Sequence, residues 1–241
     1  MTTTLSRRKE QNLAASRLDA RSSTPSIRSF AQAIDRQRAS VERIPLLAAR
    51  RDDLAAAARG LDEAEVAALA FEVDDPAAEL SRFAEAARAA SVPILRVDLL
   101  LEEFQIYESR VAGADAVLLV AAHLSEELLV RLVSAARGTH MAACVLCAAP
   151  GELARAAAAR ADVIALPLRT DGSLEPSLLE AVPRRSLVLA MPERPWSTLS
   201  LASLRGRADA ALDPSIAEGA DPAAAFRAAL AADESSHAPS F

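Results

Sequence analysis

The sequence predicts an α/β fold, a (β/α)8 barrel in a single domain, and three observations predict it. Eight short apolar runs of strand length follow one another along the chain. Most are continuously apolar rather than alternating, the pattern of parallel strands covered on both faces. Their starts recur roughly every 22 to 26 residues, one strand and one helix per repeat. An open doubly wound sheet would carry a glycine-rich turn after the first strand. Here that turn is Arg50-Arg51-Asp52-Asp53, and the next glycine is Gly60.

Taken in order, the first strand is expected in IPLLAA (44–49) and the second in VAALAFEV (66–73). The stretch 74–90 then reads as a helix, with Asp74 or Asp75 as cap and Pro76 in the first turn. Leu80, Phe83, Ala84 and Ala87 recur at helical spacing along it. VPILRV (92–97) is the third strand and DAVLLVA (115–121) the fourth. Ser125 caps the next helix, which closes on Gly138. MAACVLC (141–147), DVIALPL (162–168), SLVLAM (186–191) and ADAAL (208–212) complete the eight. Helices fill 150–162 and 221–232. Residues 29–232 are expected as the barrel. Residues 1–28 form an extension, partly disordered or helical, and residues 233–241 a disordered tail.

Composition excludes several classes. The chain has 241 residues, 51% of them hydrophobic, enough for one sizeable core. Its net charge of −6 and 3% aromatic content speak against a nucleic-acid surface. No apolar run approaches the roughly 18 residues of a membrane helix. In the N-terminal stretch Glu10, Asp19 and a weak apolar face argue against a transit peptide, and there is no apolar core of a secretory signal. A cytoplasmic protein is expected. Cys144 and Cys147 form a C-x-x-C pair inside an apolar run, where cysteine behaves as a small hydrophobe. His123, His140 and His237 are scattered. Neither a metal site nor a cofactor is expected.

The stretch VPILRVDLLLEEFQIYESRVAGADAVLLVAAHLSEELL (92–129) resembles the indole-3-glycerol-phosphate synthase family of tryptophan biosynthesis. It follows that family's P-[VI]-L-R-K-D-F, Q-[IV]-Y-E-[AS]-R and A-G-A-D-A-[VI]-L-L elements. SFAQAI (29–34) and ADPAAAFRAAL (220–230) resemble its early segment and its last helix. The resemblance implies a barrel lyase. Such enzymes close an anilino-ribulose phosphate ring with loss of CO₂ and water, using a lysine acid, further lysines and glutamates, and a phosphate-binding glycine.

The same comparison implies that this chain lacks that chemistry. Val97 stands where the family has its lysine acid. Ala49 falls at the first-strand glutamate and Leu146 at the fifth-strand glutamate. Arg51 falls at or near a first-strand lysine, and Asp213 at the phosphate-binding glycine. An aspartate there would repel a phosphate. The loops after the first two strands are shortened.

Three readings follow. A catalytically degenerate barrel would serve as a binding, scaffold or regulatory protein, with a protein partner. A divergent synthase would use an unrecognised acid. A repurposed barrel would hold another small anionic ligand on Arg51 and Arg169. Arg96 and Asp98 flank Val97 on the opposite strand face and are weaker candidates, with structural pairing as the plainer reading. His123, after the fourth strand, and Glu193, after the seventh, stand at the mouth. Trp196 is expected to cover the barrel top or meet a partner.

Overall fold

The computed structural model describes residues 23–192, 199 and 201–235. The expected Glu193 and Trp196 positions lie outside these residues. Eight parallel strands close into a barrel in chain order, β1-β2-β3-β4-β5-β6-β7-β8. They are β1 Glu42–Ala48, β2 Leu69–Glu72, β3 Ile94–Val97, β4 Ala116–Val120, β5 Ala142–Leu146, β6 Val163–Pro167, β7 Leu187–Met191 and β8 Ala210–Asp213. Each overlaps its expected apolar run, with ends shifted by a few residues. Among the described residues no helix is long and apolar enough to cross a membrane.

Several helices begin where the chain offers caps. Asp75 accepts the Ala77 N–H, and Pro76 opens Pro76–Ala89. Ser125 accepts the Leu128 N–H and opens Glu126–Gly138. Glu102 and Gln105 form a capping box that opens Glu103–Val111. The last helix, Pro222–Ser235, runs three residues into the stretch expected as a tail.

Two apolar cores result from the strand period of two. The outer core lies between sheet and helices. There Phe71 of β2 meets Phe83 edge to face, with ring centroids 5.3 Å apart. The inner core fills the barrel. Its floor is built from Ala68, Ala116, Ala142 and Ala210. Small residues there leave room for Phe30 and Ile34, both fully buried, on the short helix Phe30–Ile34. That helix plugs the barrel floor, and Ser29 caps it.

Residues 23–28 precede this plug and are tied down by side chains. Ser26 Oγ donates to Asp115 Oδ1 at 2.6 Å, and Arg28 pairs with Asp115 at 2.7 Å. Arg28 also donates to the Ala90 and Gly113 carbonyls. Gly113 is needed at its turn. Its φ is +99°, and an added Cβ would meet Ala87 Cβ at 2.8 Å.

Three even-numbered strands are preceded by an aspartate that clamps the strand before it. The Asp115 N–H donates to the Ile94 carbonyl, while Asp115 Oδ2 accepts the Ile94 N–H at 3.0 Å. Asp162 does the same to Ala143, and Asp209 to Val188. The fourth such place, before β2, holds Ala68. Each clamp satisfies both backbone groups at a strand start that the ladder leaves open.

Candidate functional site

Barrel chemistry gathers at the carboxyl ends of the strands. The last inward-facing residues there are Ala48, Glu72, Val97, Val120, Leu146, Pro167 and Met191, followed by Pro214 after β8. All but Pro214 are half-buried. Glu72 is the only ionisable side chain in this ring.

Glu72 is fixed by the sheet. It pairs in register with Ala48 on one side and Val97 on the other, and its carbonyl accepts the Ala49 N–H at 2.8 Å. Two cavities meet at it. One of about 480 Å³ is lined by Arg50, Arg51, Asp52, Glu218 and Pro214 among others. One of about 190 Å³ is mostly apolar, lined by Val97, Leu118 and Val120. A carboxylate set between a charged basin and an apolar one can anchor a cation or exchange a proton with a bound ligand.

Val97 and Leu146 pack on the inner core at the mouth, where the resemblance had placed the acid and a glutamate. The first strand needs a shift of one residue. Ala49 is fully buried in the outer core, whereas Ala48 lines the large cavity. The inner-face pair is therefore Ala48 and Arg50, not Ala49 and Arg51. An all-apolar run such as LLAA carries no polar residue to mark its inner face.

Arg51 does reach the cavity, but it is engaged. Its Nε and Nη2 donate to the Asp53 carboxylate, each at 2.8 Å, and its Nη1 to the Ala217 carbonyl. The Arg51 guanidinium holds the Asp53 carboxyl below its usual range. Arg50 pairs with Asp74 at 2.7 Å. Arg169 sits outside both cavities, half exposed, and pairs with Glu175 at 2.7 Å. The structure does not bring Arg51 and Arg169 together around one space.

Arg96 turns away from the interior, and Asp98, its partner, also borders the smaller cavity. Arg96 Nη2 meets Asp98 Oδ2 at 2.7 Å, and its Nη1 reaches Glu108 at 3.1 Å and Ser109 Oγ at 3.0 Å. Burial pulls the Arg96 guanidinium below its ordinary value, and Glu108 opposes that shift. This is a scaffold network joining β3 to the helix Glu103–Val111. His123 is exposed, in the 3-10 turn Ala121–His123. Asp213 is fully buried and faces the outer layer. It pairs with Arg43 and accepts from Ser215 N and Oγ. Both cysteines are buried and free, and burial pushes the Cys147 thiol up to about 12. Among the described residues no three His, Cys, Asp or Glu side chains cluster as metal ligands.

Sequence reading missed Glu72, Arg50 and Glu218. The signal for Glu72 was present: Ala68, Ala70 and Glu72 alternate with the outward residues of their run. The chain's only lysine is Lys9, which leaves none in the described barrel.

Comparison with known proteins follows the same lines. A family model described as indole-3-glycerol phosphate synthase matches residues 4–182. The indole-3-glycerol phosphate synthase of Endomicrobium trichonymphae is 37% identical over 97 residues, 40% of this chain and 38% of that protein. That of Neisseria meningitidis serogroup C is 41% identical over 81 residues, 33% of this chain and 31% of that protein. That of Chlorobium phaeovibrioides is 33% identical over 128 residues, 48% and 49% of the two chains. The matched stretches thus span between about a third and a half of these relatives. Orotidine 5'-phosphate decarboxylase from Pyrococcus horikoshii OT3 shares the fold alone, with TM-score 0.61 and 13% identity over 79% of this chain and 99% of that one.

Proposed function

Because the chain belongs to the indole-3-glycerol phosphate synthase family yet ends its strands on a ring of inward-facing residues that is apolar except for Glu72, we propose that it is a non-catalytic member, a barrel that binds rather than closes the indole ring. The observation that carries this reading is the ring of last inward-facing residues. Val97 has no proton to give, and neither Ala48 nor Leu146 can take one. No lysine follows Lys9. An arginine cannot replace a lysine acid, because it keeps its proton near neutrality. Polar groups at such a mouth are costly to hold without a task. Apolar replacements suit a barrel kept for its surface or its cavity.

The test is a fluorescence assay for indole-glycerol phosphate with the folded chain and the family's anilino-ribulose phosphate substrate. The expected result is no product above buffer over hours. Product formation that depends on the chain would overturn the reading.

One observation favours a rival. Glu72 is a carboxyl group on the inner ring and supplies the mouth with one group able to exchange protons. A divergent synthase would depend on it. Such an enzyme would rescue a tryptophan auxotroph lacking this step, and Glu72→Gln would abolish the rescue.

A further inference from the structure

The three clamp aspartates on the barrel floor are not alike. Asp115 has two arginines, Arg28 at 2.7 Å and Arg110 at 2.9 Å. Asp209 has Arg38, whose backbone N–H donates to Oδ1 at 3.0 Å and whose Nε stands 3.8 Å from Oδ2. Asp162 has no such cation. Its Oδ2 accepts the Ala143 N–H at 3.0 Å, and that is the one hydrogen bond its side chain makes among the described residues. Arg110 stands five residues before Asp115, and the same place before Asp162 holds Ala157. Asp115 and Asp209 are buried, whereas Asp162 is half-buried.

What Asp162 lines instead is a cavity of about 190 Å³. It lies between the plug helix Phe30–Ile34, the end of the helix Glu126–Gly138 and the start of β5. Two further ionisable side chains line it, Arg137 and His140, and Ser29 adds a hydroxyl. Phe30 and Met141, both buried, give it an apolar wall. The helix end places both cations. Arg137 lies in the last turn, and His140 follows the cap residue Thr139 with φ +59°. The Met141 N–H closes that turn onto the Ala136 carbonyl at 2.9 Å. Both side chains are exposed, and neither makes a hydrogen bond or ion pair among the described residues.

Opposite charges thus border one small space without meeting. A ligand with a single charge would satisfy one side and be repelled by the other. A molecule that carries both charges a short distance apart satisfies both. The planar guanidinium of Arg137 suits a carboxylate, and the His140 imidazole adds an N–H donor. The remaining oxygen of Asp162 can accept from an ammonium. The volume lies below the roughly 300–1,000 Å³ of pockets that hold drug-sized ligands, so the molecule is small.

We propose that the floor cavity binds a small free α-amino acid as its zwitterion. The carboxylate lies on Arg137 and His140, the ammonium on Asp162, and an apolar side chain against Phe30 and Met141. This site stands at the amino ends of the strands, across the barrel from the mouth. It goes beyond the reading of the mouth and does not depend on it. Ring closure is read by turnover at one end, and amino-acid binding by titration at the other.

The experiment compares L-valine with two molecules that each lack one of its charges. 2-Methylpropylammonium is valine without its carboxylate, and 3-methylbutanoate is valine without its ammonium. Each is titrated calorimetrically into the full chain up to millimolar concentration, and the shift in unfolding temperature is followed in parallel. Valine should bind, and each singly charged probe should bind roughly tenfold more weakly or not at all. Arg137→Gln, at an exposed helix end, should weaken valine by a similar factor. So should Asp162→Asn, whose side-chain oxygen can still accept the Ala143 N–H. Circular dichroism establishes that both variants are folded. Arg131→Gln, exposed on the same helix and outside the cavity, serves as the charge control and should bind valine as the parent does. Absence of valine binding would overturn the proposal. So would equal binding of either singly charged probe, or undiminished binding by Arg137→Gln or Asp162→Asn.

Discussion

Arg96, on β3, and Asp98, the residue just past its end, stand two residues apart on the face opposite Val97 and close a fully enclosed ion pair with Nη2 and Oδ2 at 2.7 Å. Neither enters the barrel mouth with its charge unmatched. The pair survives beside an apolar Val97 because its task is structural. Leu99 N also donates to Asp98 Oδ1, which fixes the chain as it leaves the strand. Asp98→Ala would leave a guanidinium buried with only Glu108 and Ser109 as partners. A loss of about 3 kcal/mol or more in unfolding free energy is expected from urea titration. A loss within the error of the titration would show that the pair contributes little to the scaffold.

Phe30 plugs the floor of the barrel and is wholly buried. Phe30→Ala removes its ring from the inner core and opens a cavity above the alanine floor. The expected cost is about 3–5 kcal/mol, read from chemical denaturation.

Asp115 gathers Ser26, Arg28, Arg110 and the Ile94 N–H on one buried carboxylate. Asp115→Ala unpairs two arginines and releases the segment 23–28. Hydrogen exchange should accelerate first at Ser26, Arg28 and Ile94. Unchanged exchange at these three amides would mean that backbone contacts alone hold the segment.

Arg51 and Asp53 give the mouth a pH dependence of known sign. The carboxyl is held below its ordinary 3.8 by the guanidinium. Its stabilisation is therefore present above that value and is lost as pH falls through the lower folded value. The carboxylate is half exposed, so the effect at neutral pH is less than about 1 kcal/mol. Asp53→Asn should be slightly less stable than the parent near neutrality, and the two should converge in acid. The same substitution frees Arg51, so it should also raise the affinity for inorganic phosphate. Calorimetry on parent and variant reads both effects.

Cys144 and Cys147 are buried, and burial raises both thiols, Cys147 to about 12. The thiolate is the reactive form. Neither cysteine should react with a disulfide reagent at pH 8 until the protein unfolds. Fast labelling of the native chain would contradict this burial.

The fold was legible because most strands lie in apolar runs and several helices open on a readable cap. Ser125, Asp75 and Pro76 act where the sequence placed them. Strand faces were harder. In β1 the run LLAA looks alike in both registers, so Ala49 and Arg51 were read in place of Ala48 and Arg50. Glu72 was passed over because it ends an apolar run and its two cavities are built from β1, β3, β4 and the turn after β8. No local pattern reports such a meeting. The pairing of Arg51 with Asp53 spans two residues and could have been read. Its contact with the Ala217 carbonyl, from the far end of the chain, could not.

The aspartate clamps before β4, β6 and β8 have a kinetic consequence. Each joins a strand to the one before it, so the chain is divided into pairs β3–β4, β5–β6 and β7–β8, with a repeat of two strands and two helices. Asp115, Asp162 and Asp209 lie at equal intervals, and the same interval backwards reaches Ala68. The β1–β2 pair alone has no clamp. Ring closure there relies on ladder bonds, the outer core and the floor plug. Transient opening of the barrel should therefore begin between β1 and β2, and the three clamped pairs should exchange their amides as cooperative units. The protein would open as a ring with one seam and assemble as three preformed quarters that the first pair completes.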